Sequence, residues 1–249
     1  SFCMEGWLMN ELAICDLHKS YQIQKQTVSV IKGLDLKLPG DGITVILGKS
    51  GCGKTTLLRL LAGLEAPDGG RIILPEGKGV GMVFQEPRLM PWLNVQDNIL
   101  FGLAKKQRAD YPIAQLLELV GLTGFAEAYP HQLSGGMQSR VAIARVIACD
   151  PAVILMDEPF AALDNFNREA MQRELIRIEQ TQHKSIIFVT HNLDEALVLG
   201  QRIVLMADGV IERELDLSSL AYPRDLLQEE LIACKREITA FFNREQQKQ

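Results

Sequence analysis

The chain has 249 residues, 47% of them hydrophobic, with 31 acidic against 26 basic side chains and a formal net charge of −5. That length buries a substantial α/β core, and so apolar a composition excludes a disordered polypeptide. An acidic balance without a long Lys/Arg run disfavours direct binding to nucleic acid.

No apolar stretch approaches the roughly 20 residues that cross a bilayer, and Ser1-Phe2-Cys3-Met4-Glu5 lacks the basic opening of a secretion signal. A chain soluble by itself is expected, with Met4 and Met9 both eligible starts and the opening residues partly foreign. Cys3, Cys15, Cys52, Cys149 and Cys234 are odd in number and scattered, without zinc or disulfide spacing, so five free thiols in a reducing compartment are expected.

From Glu11 to Leu38 short alternating runs, at 12–17, 28–31 and 34–38, predict an antiparallel β layer, closed by the turn Pro39-Gly40-Asp41-Gly42. Tyr21 falls on a predicted loop in this region. Two readings stay open for it, stacking on a purine ring or packing on its own sheet.

Next comes the stretch around which the chain is organised. The apolar strand Ile43-Thr44-Val45-Ile46-Leu47 runs into Gly48-Lys49-Ser50-Gly51-Cys52-Gly53-Lys54-Thr55 and then a helix from Thr56 to Ala62. Glycines let the backbone turn its N–H groups inward, and the helix start adds its positive dipole end, so this loop is built to hold the phosphates of a nucleoside triphosphate. Lys54 is placed for the β- and γ-phosphates and the Thr55 hydroxyl for Mg²⁺.

After a turn at 67–70, Arg71 to Leu74 and Gly79 to Phe84 read as strands, the second ending at Gln85, an amide at a carboxyl strand end where α/β sheets bind ligands. Gln85 is thus a candidate for contact with Mg²⁺ or the attacking water. The apolar loop Glu86-Pro87-Arg88-Leu89-Met90-Pro91-Trp92-Leu93 is either an interaction site or a flap over its own core. Helices are predicted at 95–103 and 113–120, and again at 138–148 behind Leu133-Ser134-Gly135-Gly136-Met137. Ser134 and its two glycines there make a second anion-holding helix start.

Val153 to Met156 is a buried-strand run ending in Asp157-Glu158-Pro159. Asp157 suits Mg²⁺, directly or through water, and Glu158, one step past the pleat, can take a proton from water. A helix is predicted at 168–180, a strand at 185–190 ending in His191, a hairpin with an Asp208-Gly209 turn, and one or two amphipathic helices over 225–242. His191 is expected on the same sheet edge as Gln85 and Glu158.

With these pieces in order, the chain resembles the ATP-binding subunit of ABC transporters over nearly its whole length. Leu133-Ser134-Gly135-Gly136-Met137 is the most specific element, similar to the ABC signature. The resemblance implies an α/β P-loop NTPase (RecA-like) core with an antiparallel β subdomain and a helical subdomain. Residues 1–217 would form the ATPase domain, with the helical part inserted at about 87–148, and 218–249 a C-terminal helical tail.

By motif, Tyr21 matches the adenine-stacking aromatic, and Gly48, Lys49, Ser50, Gly51, Cys52, Gly53, Lys54, Thr55 and Thr56 the nucleotide cradle. Gln85 matches the Q-loop, Val153 to Asp157 Walker B, Glu158 the catalytic glutamate, Ala162-Leu163-Asp164 the D-loop and His191 the switch histidine. The implied cofactors are ATP and Mg²⁺, with Mg²⁺ held by Thr55, Gln85 and Asp157; the implied catalytic set is Glu158, His191, Gln85 and Lys54.

The implied partner is a second ATP-binding subunit, with Ser134, Gly135, Gly136 and Asp164 of one copy closing on the ATP of the other. Transmembrane permease subunits are expected at the loop from Glu86 to Trp92, a solute-binding protein indirectly, and no nucleic acid; the location is the cytoplasmic face of the membrane. Met90 to Ile99 and Tyr129 to Met137 look most like importers for nitrate, sulfonates and taurine. Met137 stands where the signature usually has glutamine, Gln138-Ser139-Arg140 departs from arginine-glutamine-arginine, and Asn192 and Gln201 replace customary aspartates. Segments 74–80 and 104–113 look short for the family. The other classes weighed are a soluble ABC ATPase acting on DNA or ribosomes and a nucleotide-dependent interaction module; this chain has neither long insertions nor a second cassette, and it keeps Glu158 and His191.

Overall fold

A computed structural model describes residues 11–75 and 79–247. Met4, Met9 and Cys3 lie outside the described residues. The chain divides into two compact units, Ser1–Glu76 with Ser185–Gln249, and Gly77–Lys184.

In the first unit, β1 (Leu12–Ile23) and β2 (Gln26–Leu38) form an antiparallel hairpin. It turns at Gln24 and Lys25, both in the left-handed region at φ 47° and 70°. Both strands are longer than the expected short runs, because beyond the core the ladder continues through exposed residues that carry no apolar alternation. Tyr21 therefore lies on β1, paired with Val28, and not on a loop. β3 (Gly42–Leu47) leads into α1 (Lys54–Leu61), and β4 (Gly69–Ile73) joins the free edge of β1.

The second sheet of this unit centres on β3, whose Ile43, Val45 and Ile46 are fully buried. It pairs in parallel with β7 (Ser185–Thr190) on one side and β8 (Arg202–Ala207) on the other; β9 (Val210–Asp216) closes the edge antiparallel to β8. Near-continuous apolar runs are what a sheet buried on both faces requires. Each fully buried aliphatic side chain there contributes about 1.5–3 kcal/mol. Between β7 and β8 lies α7 (Leu193–Leu199), a helix the sequence reading lacks, and the chain ends in α8 (Glu229–Gln247).

In the second unit, β5 (Val80–Val83) and β6 (Val153–Asp157) pair in parallel. Around them come α2 (Val95–Leu100), α3 (Lys105–Ala109), α4 (Ile113–Leu119), α5 (Gly135–Ala148) and α6 (Asn165–Gln182). The short α3 occupies the segment expected to be merely shortened.

Among the described residues no helix is long and apolar enough to cross a membrane. Cys52, Cys149 and Cys234 carry free thiols, whereas Cys15 is disulfide-bonded. The expectation of five free thiols is therefore corrected at Cys15: spacing along the chain says nothing about which thiols a fold brings within bonding distance.

Candidate nucleotide site

β3 delivers the glycine loop to the carboxyl edge of its sheet, where α1 begins. Gly53 caps α1 at φ 107°, a left-handed backbone that a side chain adopts only under strain, and an added Cβ would meet Ile31 and the Val30 carbonyl at 3.1 Å. Lys54 is 5% exposed. Its ammonium group donates to the Gly48 carbonyl at 2.7 Å and the Lys49 carbonyl at 2.8 Å, so the charge is held inside the loop's own turn. Burial pushes the Cys52 thiol above its ordinary pKa, partly offset by the Lys54 charge, with Nζ 4.0 Å from Sγ.

Register brings a second candidate to the same edge. Leu47 of β3 lies opposite Thr190 of β7, so the next residues along each strand, Gly48 and His191, leave the sheet side by side. His191 is exposed, between the buried Thr190 and Asn192, which caps α7. Tyr21 donates its hydroxyl to Glu65, just past α1. Partial burial, then the Glu65 carboxylate, raise the phenol pKa. That bond anchors the aromatic of β1 to the segment following the phosphate-loop helix.

In the second unit the β5–β6 pair does for three candidate residues what β3 and β7 do for Gly48 and His191. Val83 lies opposite Met156, which sets Gln85, past the end of β5, level with Asp157 and Glu158 at the end of β6. Asp157 is 5% exposed, and Glu158 adopts φ 46°, a left-handed backbone for a residue with a side chain. Conformations of this kind recur at active sites, where neighbouring structure over-determines them.

The loop after Gln85 is both held and exposed. Arg145 of α5 donates to the Pro87 and Arg88 carbonyls, each at 3.0 Å, and the fully buried Asn98 of α2 donates to the Met90, Leu93 and Asn94 carbonyls. Trp92 nonetheless stands 69% exposed. Neither Arg145 nor Asn98 is expected from the sequence to brace this loop. Asn98 carries a findable signal, a polar residue beside Ile99 on the apolar face of α2, whereas a guanidinium reaching backbone carbonyls has no sequence period.

α5 opens three residues earlier than expected, on Ser134 itself. The Ser134 hydroxyl accepts from the Met137 N–H at 3.2 Å, and Ser134 and Gly135 are exposed. Gly136 packs against Ala162 and Leu163 so closely that an added Cβ would come 3.1 Å from Leu163. Asp164 caps α6 in turn, and hydrogen bonds from Asn167 lower its carboxyl pKa.

Hydroxyl, amide and carboxylate oxygens, with phosphates and waters completing the shell, are what a hard cation such as Mg²⁺ takes, and no group of three or more His, Cys, Asp and Glu side chains that could hold a metal ion by itself occurs among the described residues. Donors of this chemistry suit a metal brought in with its nucleotide.

Residues 31–161 match the ABC transporter family. Over 244 residues the chain is 41% identical to the aliphatic sulfonates import ATP-binding protein SsuB of Bacillus cereus, covering 94% of this chain and 96% of that one. It is 42% identical over 221 residues to the nitrate import ATP-binding protein NrtD of a Synechocystis species, covering 83% and 82%. Among solved structures, a dimeric ATP-binding cassette in a post-hydrolysis state, bound to ADP and Pi, superposes with a TM-score of 0.74 at 29% identity, covering 83% of this chain and 98% of that one. The glycine loop with its buried lysine, the serine-capped α5 and this match across most of the chain place the protein in the ABC transporter family, as an ATP-binding cassette with a P-loop NTPase fold.

Proposed function

We propose that this ABC ATPase powers an importer for a small anionic or polar solute of the sulfonate, nitrate or taurine kind. It works as a pair of cassettes on the cytoplasmic face of a membrane, beneath separate permease subunits that a solute-binding protein feeds. The observation that carries the reading is the presence of two anion-holding helix starts, at Lys54 and at Ser134, in a chain alike over 94% of its length to a sulfonate-import subunit. The exposed Trp92 on a braced loop supports a docking role for that segment. The division into an ATPase domain to residue 217 and a helical tail beyond it is part of the same proposal.

On this reading the γ-phosphate displaces the two carbonyls that now hold the Lys54 ammonium, and the loop N–H groups cradle the remaining charge. Thr55, Gln85 and Asp157 would hold Mg²⁺, which when bound would supply positive charge to offset that of the phosphates. Glu158 orients a water and accepts its proton, and His191 donates to the γ-phosphate. Tyr21 stacks on the adenine. Ser134, Gly135, Gly136 and Asp164 complete the site of the partner copy, so that hydrolysis requires the pair.

Co-expression with its candidate permease genes tests the role. Recovery of the chain on membranes only with the permease, and ATP hydrolysis that rises when a solute-loaded receptor is added, are expected. A chain that stays in the soluble fraction beside an assembled permease contradicts it.

A further inference from the structure

His191 is joined to two elements that are held very differently. On one side β7 is buried along its length and laddered to β3. On the other, α7 has only seven residues, too few to be stable alone, so its position is set by what grips it.

The first turn is gripped locally. Asn192 Oδ1 accepts from the Asp194 N–H at 2.9 Å and the Glu195 N–H at 3.2 Å, and the buried Thr190 hydroxyl donates to Glu195 at 2.7 Å. The last turn is gripped by the C-terminal segment. Arg224 Nη1 donates to the Leu197 carbonyl at 2.9 Å and the Gly200 carbonyl at 2.5 Å, and the Tyr222 hydroxyl donates to the Leu199 carbonyl. These are the carbonyls a helix end leaves without partners, and a cation there also meets the negative end of the helix dipole.

The same guanidinium reaches the other way, donating through Nη2 to the Leu217 carbonyl at 2.9 Å and the Leu220 carbonyl at 3.4 Å, just past β9. It is 8% exposed and lies 4.6 Å from the Tyr222 ring. From α8, Lys235 bonds Asp194 at 2.5 Å. The segment from 218 onward thus clamps both ends of the helix that follows His191.

We propose that Arg224 is a positioning residue for His191: through α7 it holds the imidazole at the height at which it meets the γ-phosphate. The proposal rests on the reading of His191 as a phosphate contact. A small displacement of a catalytic group is enough to cost an order of magnitude or more in rate.

The test is a double-mutant cycle in steady-state ATP hydrolysis, with circular dichroism confirming that each variant is folded. Arg224→Met should lower kcat roughly 10-fold with KM for ATP nearly unchanged, Arg224→Lys should restore part of the loss, and in a His191→Ala background Arg224→Met should add nothing. An effect of equal size in both backgrounds, or no effect on kcat in the wild-type background, overturns the proposal. Should Arg224→Met fail to fold, Tyr222→Phe, which removes only the bond to the Leu199 carbonyl, enters the same cycle with the same criteria. If His191→Ala itself leaves turnover unchanged, the reading of the histidine falls instead, and the two failures are told apart.

Discussion

The Lys54 ammonium, 5% exposed, is satisfied by two loop carbonyls, and a phosphate offers it a charged acceptor in their place. Hydrogen bonds to charged groups are worth about 1.5–3 kcal/mol, which corresponds to a factor of roughly ten or more in affinity. Lys54→Ala should weaken ATP binding by at least that factor in a fluorescent-nucleotide titration, and an unchanged Kd would count against the phosphate-loop role. Glu158→Gln should leave binding intact and lower turnover about 10² to 10⁴-fold, the scale of a lost general base. Turnover at the wild-type rate in that variant would falsify the assignment. Cys52 offers a check that needs no mutation. Its raised pKa keeps the sulfur protonated at neutral pH, so alkylation should be slow there, accelerate as the pH rises toward the thiol pKa, and slow again when ATP covers the loop. Mass spectrometry of labelled Cys52 showing no protection by ATP would remove the thiol from the nucleotide site.

Helices and strands carry those residues, and what was legible at this scale depended on the physics that placed each one. β3, β6 and β7 are apolar almost throughout because they are buried, so their ends, and with them Gly48, Glu158 and His191, could be read directly. α7 is hard to read from sequence because seven residues scarcely fill two turns, although Asn192 with Asp194 and Glu195 behind it is a capped helix start. Gly135 and Gly136 hide the true start of α5, because glycines argue against helix, yet both sit in its first turn behind a capping serine. Ser134→Ala removes the bond from the Met137 N–H and should cost about 1 kcal/mol in chemical denaturation, the usual worth of an N-cap. Its larger effect should be on turnover, since the hydroxyl is assigned to the partner's nucleotide. Lost stability with full turnover would reduce Ser134 to a cap. Side-chain clamps such as Arg145, Asn98 and Arg224 were illegible for a different reason: their partners are backbone carbonyls, which leave no pattern in a sequence.

For the whole molecule, the fold class and the family could be read from motif order, whereas the wiring of the C-terminal segment could not. A helical tail and a clamp on α7 look alike in sequence. Paired action is the property on which the proposed function depends: on that reading the phosphate loop of one copy and the serine-capped helix of the other hold one nucleotide between them. Glu158→Gln, with ATP and magnesium, should accumulate dimers in sedimentation velocity, and ADP should not. The most direct measurement is a crystal structure of that variant with ATP and magnesium. Ser134 of each copy is expected within hydrogen-bond reach of the γ-phosphate held by the partner's Lys54 loop; a bound nucleotide with Ser134 of both copies far from it would contradict the proposed engine.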